Sequence, residues 1–138
     1  MTVMLKIILA LAGLAIMALG LNIGLGGIAT LGWQGPSDFF LVTNAKAFAV
    51  QDNHIRFLAG IWFGAGAIFL AGTFALNRFR SILFALIAMI FIGGLARLSS
   101  SDPLLLLSSD IFPSLFTELI IFPLIAFWIY RSSGKVYD

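Results

Sequence analysis

An all-α, polytopic membrane protein with a four-helix transmembrane bundle is the fold class that this sequence predicts, and three observations lead to it. Hydrophobic residues fill 61% of the 138 positions, and charged residues fill only 10%. The mean hydropathy of +1.09 is typical of an integral membrane protein rather than a soluble domain. The length allows about four spans, because each needs about 20 apolar residues to cross a bilayer.

The hydropathy places the spans, which together form a single domain over 1–138. The predicted spans are 3–28, 55–76, 81–98 and 114–130. The first apolar stretch is too long for the hydrophobic region of a secretory signal, so we expect it to be a span. Within it, Gly20 and Gly24 form a small-xxx-small pair that lets another helix approach closely.

The connections between the spans also carry predictions. Gln34–Asn53 is a polar loop with enough apolar residues to lie along the membrane interface. The short basic loop Asn77–Arg80 requires that the second and third spans be antiparallel neighbours. The leucines of Ser99–Pro113 are too few to cross a membrane, so this loop should dip into the interface. Pro123 predicts a kink in the last span.

The basic residues predict the orientation. Lys6, Arg78, Arg80, Arg131 and Lys135 fall on one side of the bundle, and Lys46, Arg56 and Arg97 fall on the other. The side with more basic residues is cytoplasmic by the positive-inside rule, so both termini should be cytoplasmic. Trp33, Trp62 and Trp128 lie near span ends, as interfacial anchors do.

Six polar residues in or beside the apolar stretches make up the candidate polar cluster or ligand site. They are Asn22, Asp52, His54, Arg56, Arg97 and Glu118. A charged group in a bilayer costs about 2.5 to 3.5 kcal/mol on insertion scales, so such groups normally pair inside a bundle. Arg56 shares a helical stripe with Gly60 and Gly64, and Arg97 follows a pair of glycines. We expect the two arginines and Glu118 to converge near the external leaflet.

Two interpretations of this cluster stay open. In the first, Glu118 accepts bidentate hydrogen bonds from Arg97 or Arg56, and the ion pair or triad holds three helices in register. In the second, two arginines and His54 face one deeply placed acid. The surplus of positive charge would then suit an anionic head group, a carboxylate or a quinone-like carbonyl.

Several kinds of site have little support in the sequence. A metal site from Asp52, His54 and Glu118 lacks a second histidine, so we predict no metal and no cofactor. A hydrolytic triad of His54, Asp52 and Ser99 has no supporting spacing and no Gly-x-Ser-x-Gly turn, so no catalytic residue is assigned. The net charge of +2 and the lack of any basic run argue against nucleic acid as a partner. The chain has no cysteine.

The segment His54–Trp62, the run Gly93–Arg97 and Glu118 resemble a family of small bacterial membrane proteins, a DUF4345-like domain of unknown function with four predicted spans. The resemblance covers nearly the whole chain. It implies a bacterial inner-membrane protein whose second helix opens with His-x-Arg-Phe. It implies no activity, substrate or catalytic residue.

Three functions are compatible with the sequence. The first is an accessory or scaffold subunit that packs its small residues internally and docks on a larger membrane complex with its outer surface. The second is a binding protein or enzyme for an amphiphile, such as a lipid, a sterol-like molecule or a quinone, with its head group held at the external leaflet. The third is a small dimeric transporter, which ranks last because transporter sites usually lie near the bilayer midplane.

Overall fold

The computed structural model of the chain describes residues 3–30, 42–99 and 102–133. Of these residues, 90% are helical, and none of them lies in a strand. The elements in chain order are α1 (Val3–Gly26), a 3-10 turn (Gly27–Thr30), α2 (Ala45–Phe74), α3 (Leu76–Arg97), α4 (Pro103–Leu106), α5 (Phe112–Phe116), a π-helical turn (Thr117–Ile121) and α6 (Phe122–Ser133).

Four segments are long and apolar enough to cross a membrane, and this confirms the predicted all-α class with four candidate spans. They are Val3–Thr30, Ala45–Phe74, Leu76–Arg97 and Phe112–Ser132. The contacts divide the chain into two compact units, residues 9–70 and residues 1–8 with 71–138. That the whole chain forms one domain stays a prediction.

In the unit of residues 9–70, α1 and α2 cross at glycines that bring their backbones together. A Cβ atom built on Gly13 would lie 2.8 Å from the carbonyl oxygen of Gly66, and one on Gly20 would lie 2.6 Å from the backbone nitrogen of Phe63. A side chain at either position would force the helices apart. Gly20 is therefore a packing glycine as predicted, whereas Gly24 makes only an ordinary contact with Ala59.

The glycines expected to pack beside Arg56 point elsewhere. Gly60 and Gly64 are exposed, and among the described residues no atom outside their own helix backbone lies within 4 Å of a Cβ built on either. Ala59 and Gly66 take the packed face instead. The α1 face of α2 therefore lies one helical position away from the predicted stripe.

The second unit is built on the packing of α3 against α6. The buried residues of α3 recur at spacings of three and four, and so do those of α6, as expected for helices that bury one stripe each. They are Leu83, Ile87, Ile90 and Gly94 on α3, and Phe122, Ile125 and Ile129 on α6. Gly94 lets Leu119 come close, since a Cβ there would lie 2.8 Å from its Cδ2 atom.

Each of the three predicted loops is helical in part or in full among the described residues. Ala75, with φ −139° and ψ 58°, is the one break between α2 and α3, so Asn77–Arg80 form the first turn of α3 rather than a loop. Arginine is a good helix former, so the polarity of Arg78 and Arg80 is not enough to indicate a loop. In the same way α2 begins at Ala45 rather than near His54, and the Asn44 side chain caps it by accepting from the Ala47 N–H.

The last span departs from regular α geometry just before its proline. Phe122 N–H donates to the carbonyl of Thr117, five residues back, inside the turn Thr117–Ile121. The ring of Pro123 would clash with the carbonyl four residues earlier in a regular helix, and a π-helical turn shifts that register. The structure therefore has a widened turn just before Pro123, and the kink itself stays a prediction.

The remaining predictions concern the interface. In α4, Leu104 is 82% exposed, which leaves an apolar surface of the kind expected for a loop that dips into the membrane. Asp102 caps this short helix by accepting from the N–H groups of Leu104 and Leu105. Trp62 is exposed and Trp128 half-buried. Trp33 and the part of the predicted loop Gln34–Asn53 that precedes residue 42 lie outside the described residues.

Candidate functional site

Arg56 pairs with an acid of its own helix. Its Nε donates to Oδ2 of Asp52 at 2.6 Å, and the two residues are four positions apart on α2. Side chains at that spacing lie on one face of a helix, so the pair forms within a single turn. Both side chains are partly exposed, at 38% for Arg56 and 19% for Asp52.

The same arginine also holds the end of α1. One of its terminal nitrogens donates to the carbonyl of Gly24 at 3.1 Å and to that of Leu25 at 2.6 Å. The last carbonyls of a helix have no partner inside it, and they form the negative end of the helix dipole. The guanidinium of Arg56 thus satisfies both a carboxylate and the C-terminus of α1.

Asp52 also binds the backbone just after the end of α1. Its Oδ1 accepts the backbone N–H of Ile28 at 2.7 Å, one residue after Gly27. Gly27 has φ +73°, a left-handed conformation that glycine adopts at little cost, and a Cβ there would collide with Asp52 and Arg56. Residue 27 must be glycine because the side chains of Asp52 and Arg56 occupy the space that a Cβ atom would need.

Asn22 ties down the 3-10 turn that follows. Its side-chain amide donates to the carbonyl of Thr30 at 3.1 Å, and the Thr30 hydroxyl donates to the carbonyl of Gly27 at 2.9 Å. We call Asn22, Thr30, Asp52 and Arg56 the α1 clamp. Its hydrogen bonds hold the backbone of residues 24–30, which gives it a structural role.

The second ion pair lies in the other unit and is more deeply placed. Nε of Arg97, on α3, lies 2.9 Å from Oε2 of Glu118 in the π-helical turn. Glu118 is 9% exposed, whereas the side chain of Arg97 is 43% exposed. The arginine therefore neutralises a buried carboxylate from a position that reaches the surface.

The contact between Arg97 and Glu118 is electrostatic rather than a well-aligned hydrogen bond. Oε2 of Glu118 is buried and accepts no hydrogen bond from the described residues, although the Arg97 nitrogen is close to it. Direction matters for a hydrogen bond and much less for charge attraction. Gly94 makes room for the pair, because a Cβ there would lie 3.0 Å from the Cβ of Glu118.

The six predicted residues thus fall into two groups and one single residue. Asn22, Asp52 and Arg56 come together in the α1 clamp, and Arg97 pairs with Glu118. His54 is exposed and makes no hydrogen bond or ion pair among the described residues. In the described part of the chain, no three His, Asp or Glu side chains gather closely enough to hold a metal ion.

The charge count changes as a result. The sequence suggests two arginines against one deep acid if Asp52 lies in a loop, but Asp52 lies in α2. The structure pairs each arginine with its own carboxylate, so these two arginines carry no surplus of positive charge. Thr30 and the carbonyls of Gly24 and Leu25 were missed. The spacing of Asp52 and Arg56 is the signal that could have found the first pair.

An open groove borders the α1 clamp at Arg56. It has a volume of about 280 Å³ and is lined mainly by apolar groups of α1 and α2, with Arg56 and Gly60 among its residues. Its remaining lining residues are Gly20, Leu21, Gly24, Leu25 and Phe63. The groove is a surface feature rather than an enclosed cavity.

The comparisons with known proteins give a family. A family model described as a domain of unknown function, DUF4345, matches residues 4–129. The chain belongs to the DUF4345 family. No curated protein and no solved structure matches it. Membership in DUF4345 confirms the resemblance carried by His54–Trp62, Gly93–Arg97 and Glu118, and it assigns no activity.

The pairing of Arg97 with Glu118 predicts unequal effects when either residue is replaced by leucine. Arg97→Leu leaves a buried carboxylate without its counter-charge and should lower the free energy of unfolding by about 3 kcal/mol. Glu118→Leu should cost less, because the half-exposed arginine can extend its head to water. The double variant should recover most of the loss. SDS-titrated unfolding in micelles measures all three.

Met89→Leu, on the exposed surface of α3, is the control for this series and should unfold as the unchanged protein does. Equal losses from the two single variants, or a double variant as unstable as their sum, would contradict the pairing.

Proposed function

We propose that this DUF4345 protein is a small accessory or scaffold subunit of a larger membrane complex. The observation that carries the proposal is the internal use of both arginines. Arg56 is committed to Asp52 and the end of α1, and Arg97 to Glu118. Ion pairs used in this way support a bundle, whereas an anion-binding site needs positive charge left over.

The exposed glycines of α2 supply the docking surface. Gly60 and Gly64 are four positions apart, so they lie on one face and form a notch with no side chain in it. We call this face the α2 notch. Small residues at such spacing let the backbone of another transmembrane helix approach closely, and van der Waals packing then holds the two together. The proposed occupant is a transmembrane helix of a larger membrane protein.

The alternative of amphiphile binding loses its main support, because Arg56 and Arg97 carry no surplus of positive charge. Its support in the sequence is that a surplus of positive charge would attract an anionic head group. With each of the two arginines matched by a carboxylate, the groove beside Gly60 is mainly apolar and has no unpaired charge of Arg56 to hold an anionic head group. The proposal therefore assigns no catalytic step and no cofactor to the chain.

Site-specific photo-cross-linking in native membranes tests the docking proposal. A photoreactive residue at Ile61, beside the α2 notch, should give one discrete adduct with a larger membrane protein identified by mass spectrometry. Gly60→Leu with Gly64→Leu should reduce the adduct at least about tenfold, because a tenfold loss of affinity needs only about 1.4 kcal/mol. The expected reason is that leucines fill the notch and keep the partner backbone away.

Gly93→Leu is the matched control, since Gly93 is also an open glycine but lies on α3. It should leave the adduct unchanged. An adduct made only of two copies of this chain, no adduct at all, or an adduct insensitive to the leucines would each refute the proposal.

We also propose that the protein lies in a bacterial inner membrane with both termini in the cytoplasm. The support is the distribution of basic residues, with Lys6, Arg78, Arg80 and Arg131 on the side of the termini. Bacterial origin comes from the resemblance alone.

The absence of cysteine from the sequence makes orientation easy to measure. Single cysteines at Asn77, between α2 and the body of α3, and at Ser109, after α4, provide the two reporters. A membrane-impermeant maleimide should label Ser109→Cys in intact cells, and Asn77→Cys only after the inner membrane is permeabilised. The reverse pattern would place the termini outside.

A further inference from the structure

At one end of the unit formed by residues 1–8 and 71–138, three arginines have no acidic partner among the described residues. Arg78 and Arg80 are in the first turns of α3, and Arg131 is in the last turn of α6. We call these three residues the arginine rim. Within the described residues none of them takes part in an ion pair, and the described acids of this unit are Asp102, Asp110 and Glu118.

Those acids belong to the opposite end of the unit. Glu118 pairs with Arg97, which is 17 positions after Arg80 on the same helix, or about 25 Å along its axis. Asp102 and Asp110 follow the C-terminal end of α3 in the chain. At that distance the counter-charges are screened from the arginine rim.

Aromatic rings hold two of these arginines in place. The guanidinium of Arg80 lies 5.6 Å from the ring centre of Phe84 on α3 and 6.0 Å from that of Tyr130 on α6. Arg131, next to Tyr130 in the chain, lies 5.7 Å from the ring centre of Phe127. Stacking on a ring leaves the edge N–H groups of a guanidinium available, and it reduces the entropy lost when they bind.

The surface beside the arginine rim is apolar. Leu124 and Phe127, about two turns and one turn before Arg131 on α6, are 57% and 58% exposed, and Tyr130 is 64% exposed. Spacings of three and four put Leu124, Phe127 and Arg131 on one stripe of α6. The acyl chain of a lipid can lie along this stripe while the lipid head group contacts the guanidinium of Arg131. A free anion has no acyl chain and gains nothing from the stripe.

From this arrangement we propose that the arginine rim binds the head-group phosphate of an anionic phospholipid. Planar guanidinium groups match phosphate oxygens in a bidentate geometry, and arginines at a membrane surface attract anionic lipids. The lipid would contact the end of the α3 and α6 pair and none of the residues of the α2 notch. The proposal is therefore independent of the docking of a partner helix.

Native mass spectrometry of the purified chain in micelles, titrated with phosphatidylglycerol, tests the site. Arg80→Gln and Arg131→Gln should each weaken binding about fivefold, and the double variant about 25-fold, as expected for arginines that each contact the lipid charge. Arg80→Lys should fall between the unchanged protein and Arg80→Gln, because lysine keeps the charge and loses the bidentate fork. Lys46→Gln, an exposed cation of α2, is the matched control and should bind normally.

Three outcomes would overturn the proposal. Equal binding of phosphatidylcholine would make the contact a general lipid shell, and displacement of the lipid by millimolar inorganic phosphate would make it a free-anion site. Unchanged binding in Arg80→Gln with Arg131→Gln would remove the arginines from the site. Helix content and SDS unfolding of each variant establish that it is folded before binding is compared.

Discussion

Charge placed in an apolar chain needs a partner, and the pairing of Arg56 and Arg97 with carboxylates is the constraint on which the rest of this structure depends. Asp52 and Arg56 hold the turn that ends α1, and the glycine at residue 27 is required because the clamp fills its space. Glu118 requires Arg97 on the facing helix and a glycine beside it. Each unit therefore combines one ion pair with glycines that admit it.

Hydropathy was enough to predict the four apolar helices. The need to neutralise Glu118 left Arg97 and Arg56 as possible partners, and the structure pairs Glu118 with Arg97. Asp52 was misplaced because polarity was taken to mean a loop, although Asn44 caps a helix that already includes it. The packed face of α2 could not be chosen from the sequence. Gly60 with Gly64, and Ala59 with Gly66, both have helical spacing, and only the crossing with Gly13 decides between them.

The π-helical turn could not be predicted from the sequence either. Pro123 predicted a kink, but a bulge or a break would relieve the same clash. The turn that forms carries Glu118, whose Oε2 is left without a hydrogen bond among the described residues. Buried acceptors are seldom left so, and π-helical turns often coincide with functional segments. Among the described residues, this oxygen is a buried side-chain acceptor without a hydrogen-bond partner.

The central claim is that these charges hold the chain's own backbone, and the amide of Ile28 tests it most directly. Residue-resolved hydrogen exchange in nanodiscs should find this amide protected in the unchanged protein and in His54→Ala, where the exposed neighbour of the clamp is removed. In Asp52→Ala its protection should be lost, because Oδ1 is its acceptor. An Ile28 amide that exchanges at the same rate with and without Asp52 would contradict the account.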